Sequence, residues 1–145
     1  METKTTSAMV KGVSLSMSAK TSFNICNAIR NKPLLRAKTI IQNAVTMKIA
    51  IPITRYNMDL GHKKGMAAGS YPVKAGIEFL KLLNSLQANA ENKGLNVNNL
   101  YIVHAKADRA ETRWRLGRKG RAKAKTTHVE LIAEEKQAVT KEVKK

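Results

Sequence analysis

The sequence predicts an α+β fold, and two periodic patterns of apolar residues lead to that prediction. Apolar residues alternate with period two near both ends of the chain, which indicates strands, and recur every three to four residues between them, which indicates helices. At 145 residues the chain has room for one modest hydrophobic core. We therefore expect a single domain over residues 1–145, with flexible tails at about 1–9 and 135–145 and an extended hairpin at about 105–127.

The first strand and the first helix follow from the pattern near the start of the chain. Val13, Leu15 and Met17 alternate with small polar residues, as in a half-buried strand. Ser18 suits the N-cap of a helix that we expect to end near Asn31. The residues at helical spacing along it are Ser22, Phe23, Ile25, Cys26, Ile29 and Arg30.

A second helix is predicted after Pro33, which suits a first helical turn, and Pro52 is expected to end it. Its apolar stripe comprises Leu34, Ala37, Ile41, Ala44, Val45 and Lys48. From residue 53 to 70 the periodicity fails and three glycines interrupt a basic stretch. This pattern predicts a long basic loop rather than a helix or strand.

The clearest helix begins at Tyr71-Pro72 and carries two apolar rows. One row is Val73, Ile77, Leu80 and Leu83, and the other is Phe79, Leu82 and Leu86. Two rows predict burial over a broad face, so this should be the central core helix. Gly94 fits the left-handed position that ends helices, and Leu95 can supply the accompanying hydrophobic contact.

Two β-rich runs, at residues 100–104 and 127–132, are predicted to pair as strands. Between them nine basic residues face only two acidic ones, so this stretch cannot build a core. The basic residues are Lys106, Arg109, Arg113, Arg115, Arg118, Lys119, Arg121, Lys123 and Lys125. From Glu134 onward mixed charges without an apolar face predict a frayed or disordered tail.

The charge balance predicts a polyanionic partner. The net charge is +17, more than solubility requires, and phosphate contacts would neutralise it and release counterions. Arginine binds phosphate bidentately and stacks on bases, which suits folded RNA. Trp114 either stacks on an RNA base or packs on the arginine stems of its own hairpin. A free-standing basic protein that compacts DNA or chaperones RNA is the alternative that the charge alone allows equally well.

Catalytic, metal-binding and membrane functions are not expected. His62, His104 and His128 are widely spaced and lack a cysteine pair, which disfavours a metal site and a small basic nuclease. We therefore expect no enzyme and no cofactor. No window approaches the roughly 20 consecutive apolar residues that span a bilayer, so no membrane segment is expected and the protein should be cytoplasmic. The single cysteine, Cys26, should be a small buried hydrophobe.

Several short motifs, weak singly, occur in an order that resembles a known family. They are Ile29-Arg30-Asn31-Lys32-Pro33 with Ala37, Pro52, Arg55-Tyr56-Asn57 with Gly61-His62-Lys63-Lys64-Gly65, Tyr71-Pro72-Val73-Lys74-Ala75, Asn89-Ala90-Glu91-Asn92-Lys93-Gly94-Leu95, Leu100-Tyr101-Ile102-Val103-His104-Ala105, Gly120-Arg121-Ala122 and His128-Val129-Glu130-Leu131. Over about residues 10 to 135 the chain resembles the universal large-subunit ribosomal protein twenty-two family, called seventeen in eukaryotic numbering. The basic loop is similar to the archaeal and eukaryotic branch, and we favour an archaeal origin.

The resemblance implies a three-stranded antiparallel sheet packed on three helices, with a long protruding β-hairpin. It also implies a structural constituent of the large ribosomal subunit, located in the cytoplasm within the ribosome. Such a protein would bind large-subunit ribosomal RNA, help assembly and contact neighbouring large-subunit proteins. The hairpin would line the nascent-peptide exit tunnel, where its tip would meet the nascent polypeptide.

The candidate site residues divide between the body and the hairpin. On the body we expect RNA contacts from Lys11, Arg55, His62, Lys63, Lys64 and Lys74. In the hairpin we expect them from Arg109, Arg113, Trp114, Arg115, Arg118, Lys119, Arg121, Lys123 and Lys125. The resemblance assigns the tip to Arg115, Leu116, Gly117, Arg118, Lys119, Gly120 and Arg121. Gly117-Arg118-Lys119 stands where a proline-arginine-alanine step is usual, so we expect a hairpin with a shorter reach.

Overall fold

The computed structural model describes residues 7–117, 120 and 122–135. In chain order its elements are β1 (Ser7–Leu15), α1 (Ala19–Ile29), α2 (Leu34–Val45), β2 (Ile51–Pro52), β3 (His62–Lys63), β4 (Met66–Ser70), α3 (Val73–Asn92), β5 (Leu100–Arg109), β6 (Arg113–Arg115), β7 (Ala122–Ala124) and β8 (Thr127–Glu135). A short 3-10 turn at Val97–Asn99 precedes β5. The α+β class, the three helices and the antiparallel pairing confirm the prediction.

The main sheet has the order β1-β8-β5, with all neighbours antiparallel. Its central strand, β8, buries Val129, Leu131 and Ala133 completely, so the alternating apolar side chains face the helices. The predicted pairing of the last two β-rich runs is confirmed. The frayed tail predicted from Glu134 onward is wrong for Glu134 and Glu135, which pair in β8, and its remainder at 136–145 lies outside the described residues.

Strand β1 differs from the predicted alternation because it contains a bulge. The register shifts between Gly12 and Leu15, and Ser14 adopts a left-handed φ of 51°. Val13, predicted to face the core, is therefore 63% exposed, whereas Met17 is buried. The packing at Gly12 is close, since a Cβ atom there would lie 2.6 Å from Cδ1 of Leu15 and that side chain would have to shift.

Helix α1 packs one face into the core, but that face differs in part from the predicted one. Ile25, Cys26 and Ile29 are buried as expected, whereas Phe23 is half-buried and Arg30 is exposed. Ser18 occupies the predicted N-cap position, although its side chain makes no capping hydrogen bond there.

Helix α2 buries four of the six predicted stripe residues, which are Leu34, Ala37, Ile41 and Ala44. It ends at Val45, so Lys48 lies beyond it and is exposed. The prediction that Pro52 ends this helix is wrong, because Pro52 lies in β2.

Helix α3 runs between α2 and β1 and confirms one of its two predicted rows. Phe79, Leu82 and Leu86 are buried, but in the other row Ile77 is 43% exposed. Leu83 of that other row is nevertheless fully buried, and small residues, including Gly76, complete the buried face and allow a close approach to α2. The predicted C-terminus is confirmed, since Gly94 has a φ of 72° and the N–H of Leu95 donates to the Ala90 carbonyl over 3.0 Å.

The segment predicted as one long basic loop contains a second sheet, so that prediction is wrong in part. Strand β4 pairs with both β2 and β3 in the order β2-β4-β3. The strands are short, and Gly65, with a φ of 77°, turns the chain between β3 and β4. Residues 53–61 are irregular, as predicted.

We predict that Leu83→Ala lowers the free energy of unfolding by about 2–5 kcal/mol, because Leu83 is fully buried and its truncation leaves a cavity. Ile77→Ala on the same helix should cost less than about 1 kcal/mol, since that side chain is 43% exposed. Urea denaturation of both variants provides the comparison. Equal losses would contradict the observed orientation of α3.

We predict that Cys26 makes stability depend on pH in the alkaline range. Burial raises the pKa of the Cys26 thiol from 9.0 to about 12, although the charge of Arg30 acts in the opposite direction. Between those pH values the unfolded chain releases the thiol proton and the folded chain keeps it. The free energy of unfolding should therefore fall by up to about 1.4 kcal/mol per pH unit above pH 9.

The measurement is urea denaturation of the wild type and of Cys26→Ala from pH 8 to pH 10.5. The alanine variant lacks the thiol, so the wild type should lose stability relative to it as the pH rises. A difference that stays constant across this range would contradict the prediction.

Candidate nucleic-acid interface

Most of the basic side chains have no acidic partner within the described part of the chain. Two ion pairs occur among these residues, Lys81–Glu78 at 3.0 Å and Lys106–Asp108 at 2.8 Å. In the second pair, the hydrogen bond that Lys106 donates to Asp108, and then the charge of Asp108, raise the pKa of Lys106. The net charge of +17 is the excess of 27 basic over 10 acidic residues, so no pairing within the chain can remove it. The surface therefore favours an external polyanion.

Arg55 belongs to an aromatic and cationic cluster that joins the irregular segment to α1. Its guanidinium carbon lies 5.2 Å from the ring centre of Phe23 and 5.1 Å from that of Tyr56. The two rings meet edge to face with centres 5.8 Å apart, and Lys20 Nζ lies 5.7 Å from the Tyr56 ring centre. These contacts fix the direction of an exposed arginine without neutralising it.

Asn24 holds this segment in place, and the sequence analysis did not identify it. Its Nδ2 donates to the carbonyls of Lys20 and Arg55 over 3.1 and 3.0 Å. Its Oδ1 accepts from the backbone N–H of Thr54 over 3.2 Å and of Arg55 over 3.3 Å. An amide at a position on the buried face of a helix was the available signal, because a buried polar group needs partners.

The predicted contacts His62, Lys63 and Lys64 lie on and next to β3, and all three are exposed. Lys63 Nζ lies 5.6 Å from the ring centre of Tyr71. The stem of Lys63 covers Gly69 so closely that a Cβ atom there would lie 2.8 Å from Lys63 Cγ. The second sheet thus exposes all three side chains, and Tyr71 and Gly69 position Lys63.

Strands β6 and β7 form a two-stranded ribbon with three residue pairs, and we call it the ribbon. Trp114 pairs with Lys123, whose Nζ lies 4.3 Å from the centre of the indole ring. The tryptophan is 58% exposed, so it packs on a lysine of the ribbon and still presents ring surface. Leu116 is fully exposed near the tip. The predicted contacts Arg118, Lys119 and Arg121 lie outside the described residues.

The body and the ribbon meet at two neighbouring cavities that bring several predicted residues together. The larger, of about 600 Å³, is bordered by Lys20, Arg109, Glu111, Lys123 and Lys125 among others. The smaller, of about 260 Å³, is bordered by Ser16, Met17, Ser18, Lys74, Arg115, Lys123 and Lys125, and we call it the junction cavity. A third, of about 570 Å³, lies at the ribbon tip beside Trp114, Arg115, Leu116, Gly117 and Gly120.

Lys11 and the histidines lie apart from this concentration of charge. Lys11 pairs with Glu130 across the main sheet and shares a cavity with Asp108 and His128. His128 Nδ1 accepts the backbone N–H of Ser14 over 3.1 Å, which is a structural role. His62 lies on the second sheet, whereas His104 and His128 lie on the main sheet. Across residues 7–117, 120 and 122–135, no group of histidine, cysteine and carboxylate side chains is arranged to hold a metal ion.

Comparison with known proteins now adds to this geometry. The family model described as Ribosomal protein L22p/L17e matches residues 10–134. The chain belongs to this family. It is 40% identical to a large ribosomal subunit protein uL22 of Archaeoglobus fulgidus, with 92% of this chain and 91% of that protein covered.

Two other relatives carry the same description. The protein of Methanosphaera stadtmanae is 38% identical, with 86% of each chain covered, and that of Staphylothermus marinus is 41% identical, with 74% of this chain and 76% of that protein covered. The predicted family resemblance is confirmed, and these archaeal relatives agree with the archaeal origin favoured from the sequence. Relatives of this L22p/L17e chain are named as ribosomal proteins rather than as enzymes, which confirms the prediction that it is not an enzyme. Among the described helices, none has the length and apolarity needed to cross a membrane.

We predict that Asn24→Ala destabilises the chain by about 1–3 kcal/mol, because the partly buried backbone groups that bond to the amide lose their partner. Hydrogen exchange at the backbone N–H groups of Thr54 and Arg55 should also accelerate. Asn27→Ala is the matched control, since Asn27 is more exposed and reaches the same segment through one bond of 3.3 Å to Thr54 Oγ1. Equal exchange in the two variants would contradict the role of Asn24.

Proposed function

We propose that this chain is a structural constituent of the large ribosomal subunit and binds large-subunit ribosomal RNA in the cytoplasm. The observation that carries the proposal is a basic surface with little internal compensation on a chain of the Ribosomal protein L22p/L17e family. Matched relatives are named as large-subunit proteins. An RNA partner supplies the missing negative charge, and neighbouring large-subunit proteins are further expected partners.

The proposed RNA contacts are spread over the body and the ribbon. Arg55, Lys63 and Lys64 are exposed on the body, and packing against rings or strands holds the first two in place. Lys74 shares the junction cavity with residues of the ribbon. Contacts at separate points on the chain suit a protein that holds distant RNA segments together during assembly. The RNA contacts predicted from the sequence remain the proposed set.

We further propose that the ribbon forms the end of a long protruding hairpin that lines the nascent-peptide exit tunnel. Strands β5 and β8 pair from Leu100–Glu135 to Arg109–Thr127, and the ribbon continues between them. Ala110 N–H donates to the Thr126 carbonyl over 3.1 Å and links the two ladders. The fully exposed Leu116 suits a tip that meets a nascent polypeptide. A single domain is supported by one core cluster that draws on all three helices and the main sheet.

We predict that the protein sediments with large subunits and complete ribosomes in a gradient of gently prepared cell extract. High salt should release it, because the free energy gained by releasing counterions from the phosphates falls as the salt concentration rises. A peak in light or DNA-bound fractions at low salt would overturn the proposal and favour a free-standing nucleic-acid binder.

Purified components sharpen this test. Neutralising about eight phosphates gives a slope near −7 in a plot of the logarithm of affinity against that of salt concentration. Folded large-subunit RNA should bind more tightly than duplex DNA at matched salt. A nearly flat slope would contradict a mechanism dominated by phosphate contacts.

A further inference from the structure

The junction cavity concentrates positive charge from parts of the chain that are far apart in sequence. Lys74 belongs to α3, Arg115 to β6 and Lys123 to β7, and Lys125 follows directly. Among the described residues that border this cavity there is no carboxylate, and Glu111 borders the larger neighbouring cavity. Lys74 Nζ donates to Ser16 Oγ over 3.1 Å, which is a neutral partner. These four exposed cations raise the positive potential around one small space, which favours the binding of an anion.

Two helix N-termini border the same space and increase its positive potential. Ser18 precedes α1 and Lys74 lies in the first turn of α3. Neither helix has an acidic residue in its first turn, and Lys20 and Lys74 take second helical positions there. The positive end of a helix dipole favours anions, so lysines at these positions are unfavourable in the free chain.

We propose that the junction cavity holds one phosphate of the bound RNA, and that this phosphate fixes the ribbon against the body. The proposal rests on the RNA binding proposed above and assigns one phosphate of that RNA to a specific binding site. A volume of about 260 Å³ equals roughly nine water molecules, which is enough for a phosphate group. A ribbon of three residue pairs has little stability of its own. A shared anion between α3 and the ribbon supplies the missing restraint.

A double-mutant cycle between Lys74→Met and Arg115→Met tests this phosphate site by measuring the affinity for large-subunit RNA. Each variant should lower affinity at least threefold. The double variant should lose clearly less than the product of the two, because both cations serve the same phosphate. Lys74→Met with Lys64→Met is the matched control, and its losses should multiply, since Lys64 does not border the cavity. Losses that multiply equally in both pairs would overturn the proposal.

The motion of the ribbon provides a second measurement. It reports how firmly the ribbon is held, and the removal of one positive charge elsewhere on the surface should not change it. Trp114 is the only tryptophan in the sequence and lies on β6, so its fluorescence anisotropy decay reports ribbon motion. Saturating RNA should slow that motion in the wild type and in Lys64→Met but not in Lys74→Met. Equal slowing in all three would overturn the restraint.

Two further comparisons show whether the anion belongs to RNA or is free phosphate, and whether a negative result concerns the proposed function or only the phosphate site. Inorganic phosphate at constant ionic strength should not slow Trp114 as RNA does. If it alone did so and RNA did not, the cavity would bind a free anion and the proposal would be overturned. If the wild-type protein failed to bind large-subunit RNA, the proposed function would be refuted. If the wild type bound tightly but the losses in the Lys74→Met and Arg115→Met cycle multiplied, only the phosphate site in the junction cavity would be refuted.

Discussion

The structure depends on the position of β8 between β1 and β5. This strand supplies three fully buried side chains, Val129, Leu131 and Ala133, and hydrogen bonds to a partner on each side. At its start the buried Thr127 donates its hydroxyl to the Met17 carbonyl over 2.9 Å, which joins β8 to the turn before α1. The helices pack against one face of this sheet, and the ribbon leaves from the end of the β5–β8 ladder. A basic ribbon without a core of its own therefore takes its direction from a well-packed strand.

The interior of the protein is neutral, whereas its surface carries the positive charge. The core contains apolar side chains and a few hydrogen-bonded polar ones, and the described residues contain no buried side-chain polar atom without a partner. Arg55 and Lys63 lie outside it and are positioned by aromatic rings, by a contact with Gly69 and by Asn24 rather than by carboxylates. Packing thus fixes cation positions while leaving the charge available to an external anion.

Sequence reasoning located the long elements because their periodicity is strong, but it failed where local geometry intervenes. The bulge in β1 turns Val13 outward, and no composition signal marks a register shift. Strand β4 was missed because Met66–Ser70 is made largely of small residues with weak strand propensity. Charge predicted the basic stretches, but it could not show that Lys74 and Arg115 share a cavity, because their proximity arises from tertiary packing.

The central strand of the main sheet comes last among the described elements in the sequence. During synthesis, β1 and β5 are therefore made before β8, the strand with which both of them pair in the main sheet. Pairing β1 with β8 closes a loop of more than a hundred residues, which favours slow folding. Until that step the emerging chain combines exposed apolar strands with a high positive charge, a combination prone to aggregation and to premature contact with RNA. The order of elements along the chain thus makes completion of the body a late event in the life of each new molecule.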